Sequence, residues 1–211
     1  VASLRVQKVG ILGAGRVGKA IAVLARRAGL EVAMVGSGEP VDEVVAADAV
    51  VLAVPLGKFR TLPAGHLAGC VVVDAMNYWW ELDGARPDLD DPTTSTSQTV
   101  AAFLEGARVV KAFNHLSGYA LEELARPAGD PDRIAVAVAS DDRRALELVE
   151  VLVDALGYDP VVAGGLAEGM RFEPGTELFG ADATAAEARD MLERFWNTQR
   201  GRVVARARGS R

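Results

Sequence analysis

Lys8-Val9-Gly10-Ile11-Leu12-Gly13-Ala14-Gly15-Arg16-Val17-Gly18-Lys19-Ala20-Ile21 is the stretch that decides the fold. An apolar run ends at Gly13, and from Val17 to Ala28 apolar residues return at helical spacing until Gly29 stops them. The pattern is strand, tight turn, helix. Gly13, Gly15 and Gly18 have the spacing GxGxxG, which is weak alone but strong when it follows a strand and opens a helix. Gly13 permits the turn, Gly15 lets a pyrophosphate approach the backbone, and Gly18 lets the helix pack on the strand. Free N–H groups and the partial positive charge of the helix end favour an anion there. Gly13, Ala14, Gly15, Arg16, Val17 and Gly18 are therefore the expected phosphate-binding residues, with Arg16 able to add charge.

The same alternation continues outward along the chain. Apolar runs at Lys8 to Leu12, Glu31 to Val35, Ala49 to Val54, Cys70 to Ala75, Arg108 to Ala112, Ile134 to Ala139 and Asp159 to Ala163 read as strands. Several are apolar at consecutive positions, as strands covered on both faces are. The fold class that follows is α/β: a doubly wound, mainly parallel sheet, the Rossmann NAD(P)-binding fold. Residues 1–180 form the expected dinucleotide-binding domain. Ala185, Ala188, Met191, Leu192, Phe195 and Trp196 give an amphipathic helix within 181–199 that covers the domain or pairs with a second subunit, so a homodimer is the expected assembly. Residues 200–211, with Arg200, Arg202, Arg206, Arg208 and Arg211, read as a mobile basic tail. Two segments break the rhythm: a loop of about twenty residues from Tyr78 to Gln98, and the glycine-rich stretch Gly164 to Gly180.

Ligands of open α/β sheets bind at the carboxyl ends of the strands, so the residues there are the candidates. The second strand ends in Val35-Gly36-Ser37-Gly38 with no carboxylate to repel a 2′-phosphate, and Ser37 can donate to one. That favours NADP over NAD, although Glu39 opposes it. Val54, Pro55 and Leu56 close the third strand, Asn77 follows the fourth, and Asn114, His115 and Leu116 follow the fifth. Asn77 and Asn114 can bond a carboxamide or a second substrate, or cap turns. His115 is either an acid–base group or a satisfied structural residue, and Lys111 either a base or half of an ion pair. His115, Asn114 and Asn77 are the catalytic candidates. A site with so few titratable groups suits hydride transfer, which needs proximity and orientation more than a strong acid.

The composition agrees with an ordinary globular domain: 211 residues, half of them apolar and a quarter charged, with a net charge of −6. The negative charge argues against a nucleic-acid partner. No apolar stretch approaches the ~20 residues that cross a bilayer, so no membrane partner is expected. The lone Cys70, inside a strand, fits a buried thiol and a reducing cytoplasm. Spacings for a metal site, a nucleophile elbow or a Walker loop are missing, and metal is not expected.

Taken together, these residues resemble the coenzyme F420-dependent NADP reductase family. The match runs from Val9-Gly10-Ile11-Leu12-Gly13 through Asp74-Ala75-Met76-Asn77 and Val109-Val110-Lys111-Ala112-Phe113-Asn114 to Ala163-Gly164-Gly165-Leu166 and Glu173-Pro174-Gly175-Thr176. The resemblance implies an NADP-dependent oxidoreductase that passes a hydride between NADP(H) and a planar second substrate such as coenzyme F420. It also implies that Asn77, Asn114, His115, Leu116, Gly165, Leu166 and Thr176 line the second-substrate pocket. The family's Ser-Arg pair is Ser37-Gly38 here, and its Gly-Pro-Leu is Gly164-Gly165-Leu166. Two alternatives stand beside this reading: a reductase of a small imine or carbonyl, and a non-catalytic NADP-binding or redox-sensing protein.

Overall fold

The computed structural model describes residues 4–209. The strands are β1 (Lys8–Leu12), β2 (Glu31–Val35), β3 (Ala49–Leu52), β4 (Val71–Asp74), β5 (Arg108–Lys111), β6 (Ala135–Ala139) and β7 (Asp159–Gly164). Among the described residues they form a seven-stranded sheet in the order β2-β1-β3-β4-β5-β6-β7. Every pairing is parallel except β5 with β6. The order reverses between β1 and β3, and the loops after these two strands diverge there to leave a crevice.

The helices are α1 (Arg16–Arg27), α2 (Asp42–Val45), α3 (Ala64–Leu67), α4 (Trp80–Asp83), α5 (Thr96–Phe103), α6 (Gly118–Glu123), α7 (Arg143–Ala155), α8 (Ala185–Arg194) and α9 (Gln199–Gly209). On one face of the sheet α1, α6 and α7 bury Ile21, Leu24, Leu121, Val149 and Leu152 against Val9, Ile11, Val51, Val73 and Val110. On the other face Phe59, Leu67, Val100 and Leu104 pack on Val50, Leu52 and Val72. α7 starts where the Asp142 side chain accepts from the N–H of Ala145 at 2.9 Å, a cap that satisfies one of the helix's orphan donors.

Two lengths in this frame position the site. α2 is a single turn, so it covers little of β2, whose last four residues stay half-buried and leave that end of the sheet accessible. The stretch from Tyr78 to Gln98, expected as a loop, contains the short α4 and the start of α5, whose Ser95 N–H donates to Gln98 at 3.1 Å.

The C-terminal segment agrees with expectation in its first part and differs in its second. α8 covers the sheet: Ala188 and Leu192 pack on Ala135, Ala137, Ala139 and Val161 of β6 and β7. Residues 199–209 form α9 rather than a mobile tail. Its Val204 is buried against Met170 and Phe195, Arg200 pairs with Glu173 at 2.9 Å, and Arg208 pairs with Glu168 at 2.6 Å. An arginine run with carboxylates waiting for it docks instead of dispersing. Arg211 lies outside the described residues. Among those described, no helix is long and apolar enough to cross a membrane.

Candidate functional site

The glycine loop stands at the crevice between β1 and β3. Gly13 has φ +118°, a left-handed conformation, and a Cβ built there would lie 2.3 Å from the Ala53 carbonyl oxygen. Only glycine fits. A Cβ at Gly18 would lie 2.0 Å from the Gly13 oxygen, so α1 packs against the loop through a missing side chain. Gly15 differs: its Cβ would meet nothing closer than the Ala53 oxygen at 4.0 Å. The space above Gly15 is open to a ligand rather than filled by protein. α1 begins there with no side-chain cap and no acid in its first turn, so its N–H groups remain available to an anion. Ala14, Gly15 and Arg16 are exposed and Val17 is half-buried. Arg16 lies over the start of α6, where the missing side chain of Gly118 makes room for it. Among the described residues Arg16 has no hydrogen-bond or ion-pair partner.

The loop opens into a cleft of 320 Å³, whose walls include Gly13, Ser37, Glu39, Val54, Pro55 and Lys58. That volume suits the adenosine half of a dinucleotide. Ser37, Val54 and Pro55, three of the candidates at the strand ends, line this cleft. Leu56 does not: its side chain is fully buried in the core with Phe59 and Val100, so the cleft takes Lys58 from that turn instead.

A further correction concerns the end of β2. The Gly36-Ser37-Gly38 turn, with Gly38 at φ +81°, folds the chain back so that the Glu39 carboxylate accepts the Gly36 N–H. A carboxylate therefore does stand at the end of the second strand, supplied by the turn after it.

The β4–β5 edge has the opposite character. Asn77 and Asn114 converge as expected: Asn77 donates to the Asn114 carbonyl at 2.7 Å, and Asn114 donates to the Asn77 Oδ1 at 3.1 Å and to the Phe172 carbonyl at 2.9 Å. Phe113 takes φ +63°, a strained conformation for a bulky residue, and turns the chain from β5 toward this pair. Asn77 stays half-buried, but Asn114 is only 2% exposed.

His115 is 1% exposed and its Nε2 accepts the Ala137 N–H at 3.0 Å, which places the proton on Nδ1. Burial pushes its pKa down to about 4. A sealed, neutral imidazole cannot act as the proton donor that the sequence allowed; it is a structural residue bonded to β6. Leu116 and Leu166 are likewise core residues, packed on opposite faces of the sheet, so a substrate cannot reach their side chains. Gly165 and Thr176 are half-buried. A Cβ at Gly165 would lie 2.6 Å from Asp141, and the Thr176 hydroxyl donates to the Glu173 carbonyl at 2.8 Å.

Lys111 proves to be an ion-pair residue. Its ammonium, fully buried, lies 3.0 Å from the Ser97 hydroxyl, 3.3 Å from that of Thr96, 3.8 Å from Glu173 and 3.9 Å from Asp74. Glu173 also accepts from the Thr96 N–H at 2.8 Å and from Arg200. Burial raises its carboxyl, but the charges of Lys111 and Arg200 outweigh that, and its pKa is lowered. This cluster fixes α5, α9 and the segment Leu166–Phe172 to the strand ends. Sequence reasoning missed Glu173 and Arg200 because they meet only in space. On the cluster's outer side lies a second cleft of 260 Å³, lined by Tyr78, Asp90, Pro174 and Arg200 among others.

No family model matches the chain. It is 39% identical over 80 residues to the protein YjhV of Escherichia coli K12, a match that spans 38% of this chain and 56% of that one. Among solved structures it is similar to a hypothetical protein from Sinorhizobium meliloti, with a TM-score of 0.72 and 26% identity over 84% of this chain and 94% of that one. It is also similar to a protein from Arthrobacter sp. FB24 described as a "putative f420 dependent nadp-reductase", with a TM-score of 0.64 and 23% identity over 92% of each chain. An imine reductase from Bacillus cereus aligns at a TM-score of 0.58 and 16% identity, over 90% of this chain and 61% of that one. By sheet order and by these likenesses, the fold is the Rossmann dinucleotide-binding fold.

Proposed function

We propose that the chain is an NADP(H)-dependent oxidoreductase whose second substrate is a planar hydride partner of the deazaflavin type, such as coenzyme F420. The observation that carries this reading is the 320 Å³ cleft at the sheet's switch point, walled by Gly13 of the glycine loop, with the space above Gly15 in the same loop left unfilled by protein. The bound dihydronicotinamide would supply a hydride, two electrons with one hydrogen. The N–H groups opening α1, with Arg16, would hold the pyrophosphate; Ser37 and the walls at Val54 and Pro55 would hold the adenosine. Asn77, locked by Asn114, would set the far rim toward which the nicotinamide extends.

Transfer to a planar acceptor suits this rim because neither nearby base is available as an acid. His115 is sealed and neutral, and Lys111 is consumed by two carboxylates. A small imine or carbonyl that needs a protein proton donor is correspondingly disfavoured. One contact supports the non-catalytic reading instead: Trp79 packs edge-on against Phe179, ring centres 5.7 Å apart, beside the residues proposed for the second ring. Calorimetry with NADPH and NADH, followed by NADPH oxidation assays with F420, cyclic imines and quinones, separates these readings. Oxidation with the deazaflavin is expected. Binding without turnover by any acceptor would favour a sensor, and absence of nucleotide binding would overturn the proposal altogether.

A further inference from the structure

We infer that Lys58 is the residue that selects NADP(H), by holding the 2′-phosphate across the cleft from Ser37, and that Glu39 limits that preference from the opposite wall. The inference rests on the dinucleotide reading above. Its starting point is a turn of six residues, Leu56–Thr61, that follows β3. Leu56 and Phe59 are fully buried and pin the turn to the core, and the Gly57 N–H donates to Asp83 at 3.0 Å. The Thr61 hydroxyl closes it by donating to the Lys58 carbonyl at 2.8 Å. Lys58 is thus mounted on rigid backbone while its side chain stays exposed and lines the cleft.

Charge accounting singles it out. Three cations belong to this region, Lys58, Arg60 and Arg86, and two of them are already engaged by one carboxylate: Asp88 accepts from Arg86 at 2.8 Å and from Arg60 at 3.2 Å. The Lys58 ammonium has no carboxylate within ion-pair distance among the described residues. Across the cleft the Ser37 hydroxyl is exposed, and the Glu39 carboxylate is held at the Gly36 N–H. A ribose bearing free hydroxyls can bond that carboxylate, whereas a dianionic 2′-phosphate is repelled by it and needs a cation to offset the repulsion. Lys58 is the only unpaired cation among the residues that line this cleft.

The test is calorimetric titration of the intact protein with NADP+, NAD+ and adenosine 2′,5′-bisphosphate, using Lys58→Gln and Glu39→Gln. Lys58→Gln should weaken NADP+ and the bisphosphate about tenfold or more while leaving NAD+ within about twofold, the loss of one charge-assisted contact. Glu39→Gln should move the ratio the other way, tightening NADP+ and weakening NAD+. Unchanged affinity for NADP+ in Lys58→Gln would overturn the inference. Equal weakening of both nucleotides would also overturn it, by placing Lys58 on a part of the ligand that they share. If wild-type protein binds neither nucleotide, the dinucleotide reading itself fails, a result distinct from the other two.

Discussion

The two halves of the sheet's carboxyl edge are built to opposite specifications. Along β1, β2 and β3 the loops are short and glycine-rich, the charges of Arg16 and Lys58 are unpaired, and the space above Gly15 is open. Along β4 and β5 the charges at the strand ends, Asp74 and Lys111, are buried beneath α5 and beside Glu173, and each has a partner. The contrast teaches how polar residues divide between recognition and construction. An exposed, unpaired cation costs little to keep and is free to meet a ligand, whereas a buried one is tolerated only with its counter-charges in place.

Removing the buried cation tests the contrast most severely. Lys111→Met should destabilise the fold by about 3–5 kcal/mol, because Asp74 would be left buried without a counter-charge and Glu173 with Arg200 alone. Urea unfolding measures this, and a loss below about 1 kcal/mol would show that the cluster is not a structural unit.

His115 gives a pH signature of the sealed half. The folded chain keeps it neutral down to about pH 4, whereas an unfolded chain protonates it near 6.5. Above 6.5 neither state carries the proton. Between 6.5 and 4 only the unfolded state takes it up, so stability falls as the pH falls, by on the order of 3 kcal/mol over the window. Unfolding curves between about pH 7 and about pH 4.5 should show a shallower fall in His115→Gln, whose turnover should stay within a few-fold of wild type. The same slope in both proteins would mean that His115 titrates normally.

On the open half, effects should fall on binding rather than on stability. Gly15→Val should weaken NADPH by about a hundredfold, equivalent to about 2.7 kcal/mol, with unfolding midpoints nearly unchanged, because the new side chain enters ligand space and touches little protein. Near wild-type affinity in that variant would place the cofactor elsewhere. Gly18→Ala should do the reverse and cost stability first, since its methyl would collide with the Gly13 carbonyl.

The smallest effect is expected at Arg16. Arg16→Ala should weaken NADPH only about three- to tenfold, more at low salt than at high, as an exposed charge near a phosphate does. A hundredfold loss would mean that the guanidinium is buried with the ligand rather than lying at its edge.

How much of this was legible in the sequence depends on whether the deciding interaction is local. All seven strands could be read from apolar runs, and the roles of Gly13, Gly15 and Gly18 from their spacing, because a turn and a helix start are settled within a few residues. The convergence of Asn77 and Asn114 followed from topology, since parallel strands deliver their ends to one edge. The fate of Lys111, His115 and Leu166 could not be read, because burial is set by segments far along the chain. Lys111 meets Glu173 and Arg200 sits on it only after α9 docks; His115 is sealed by Ala137 of β6.

The sequence by itself therefore determined the doubly wound sheet and the position of the phosphate loop, where backbone geometry and hydrophobic period leave few alternatives. Tertiary structure alone decided which polar groups face the ligand. It returned Glu39 to the end of β2, presented Lys58 on a pinned turn, paired the buried Lys111 with Glu173, and sealed His115 against β6. The physical reason is that a side chain's charge state and reach depend on what desolvates and pairs it, and those partners are chosen by packing across the whole chain.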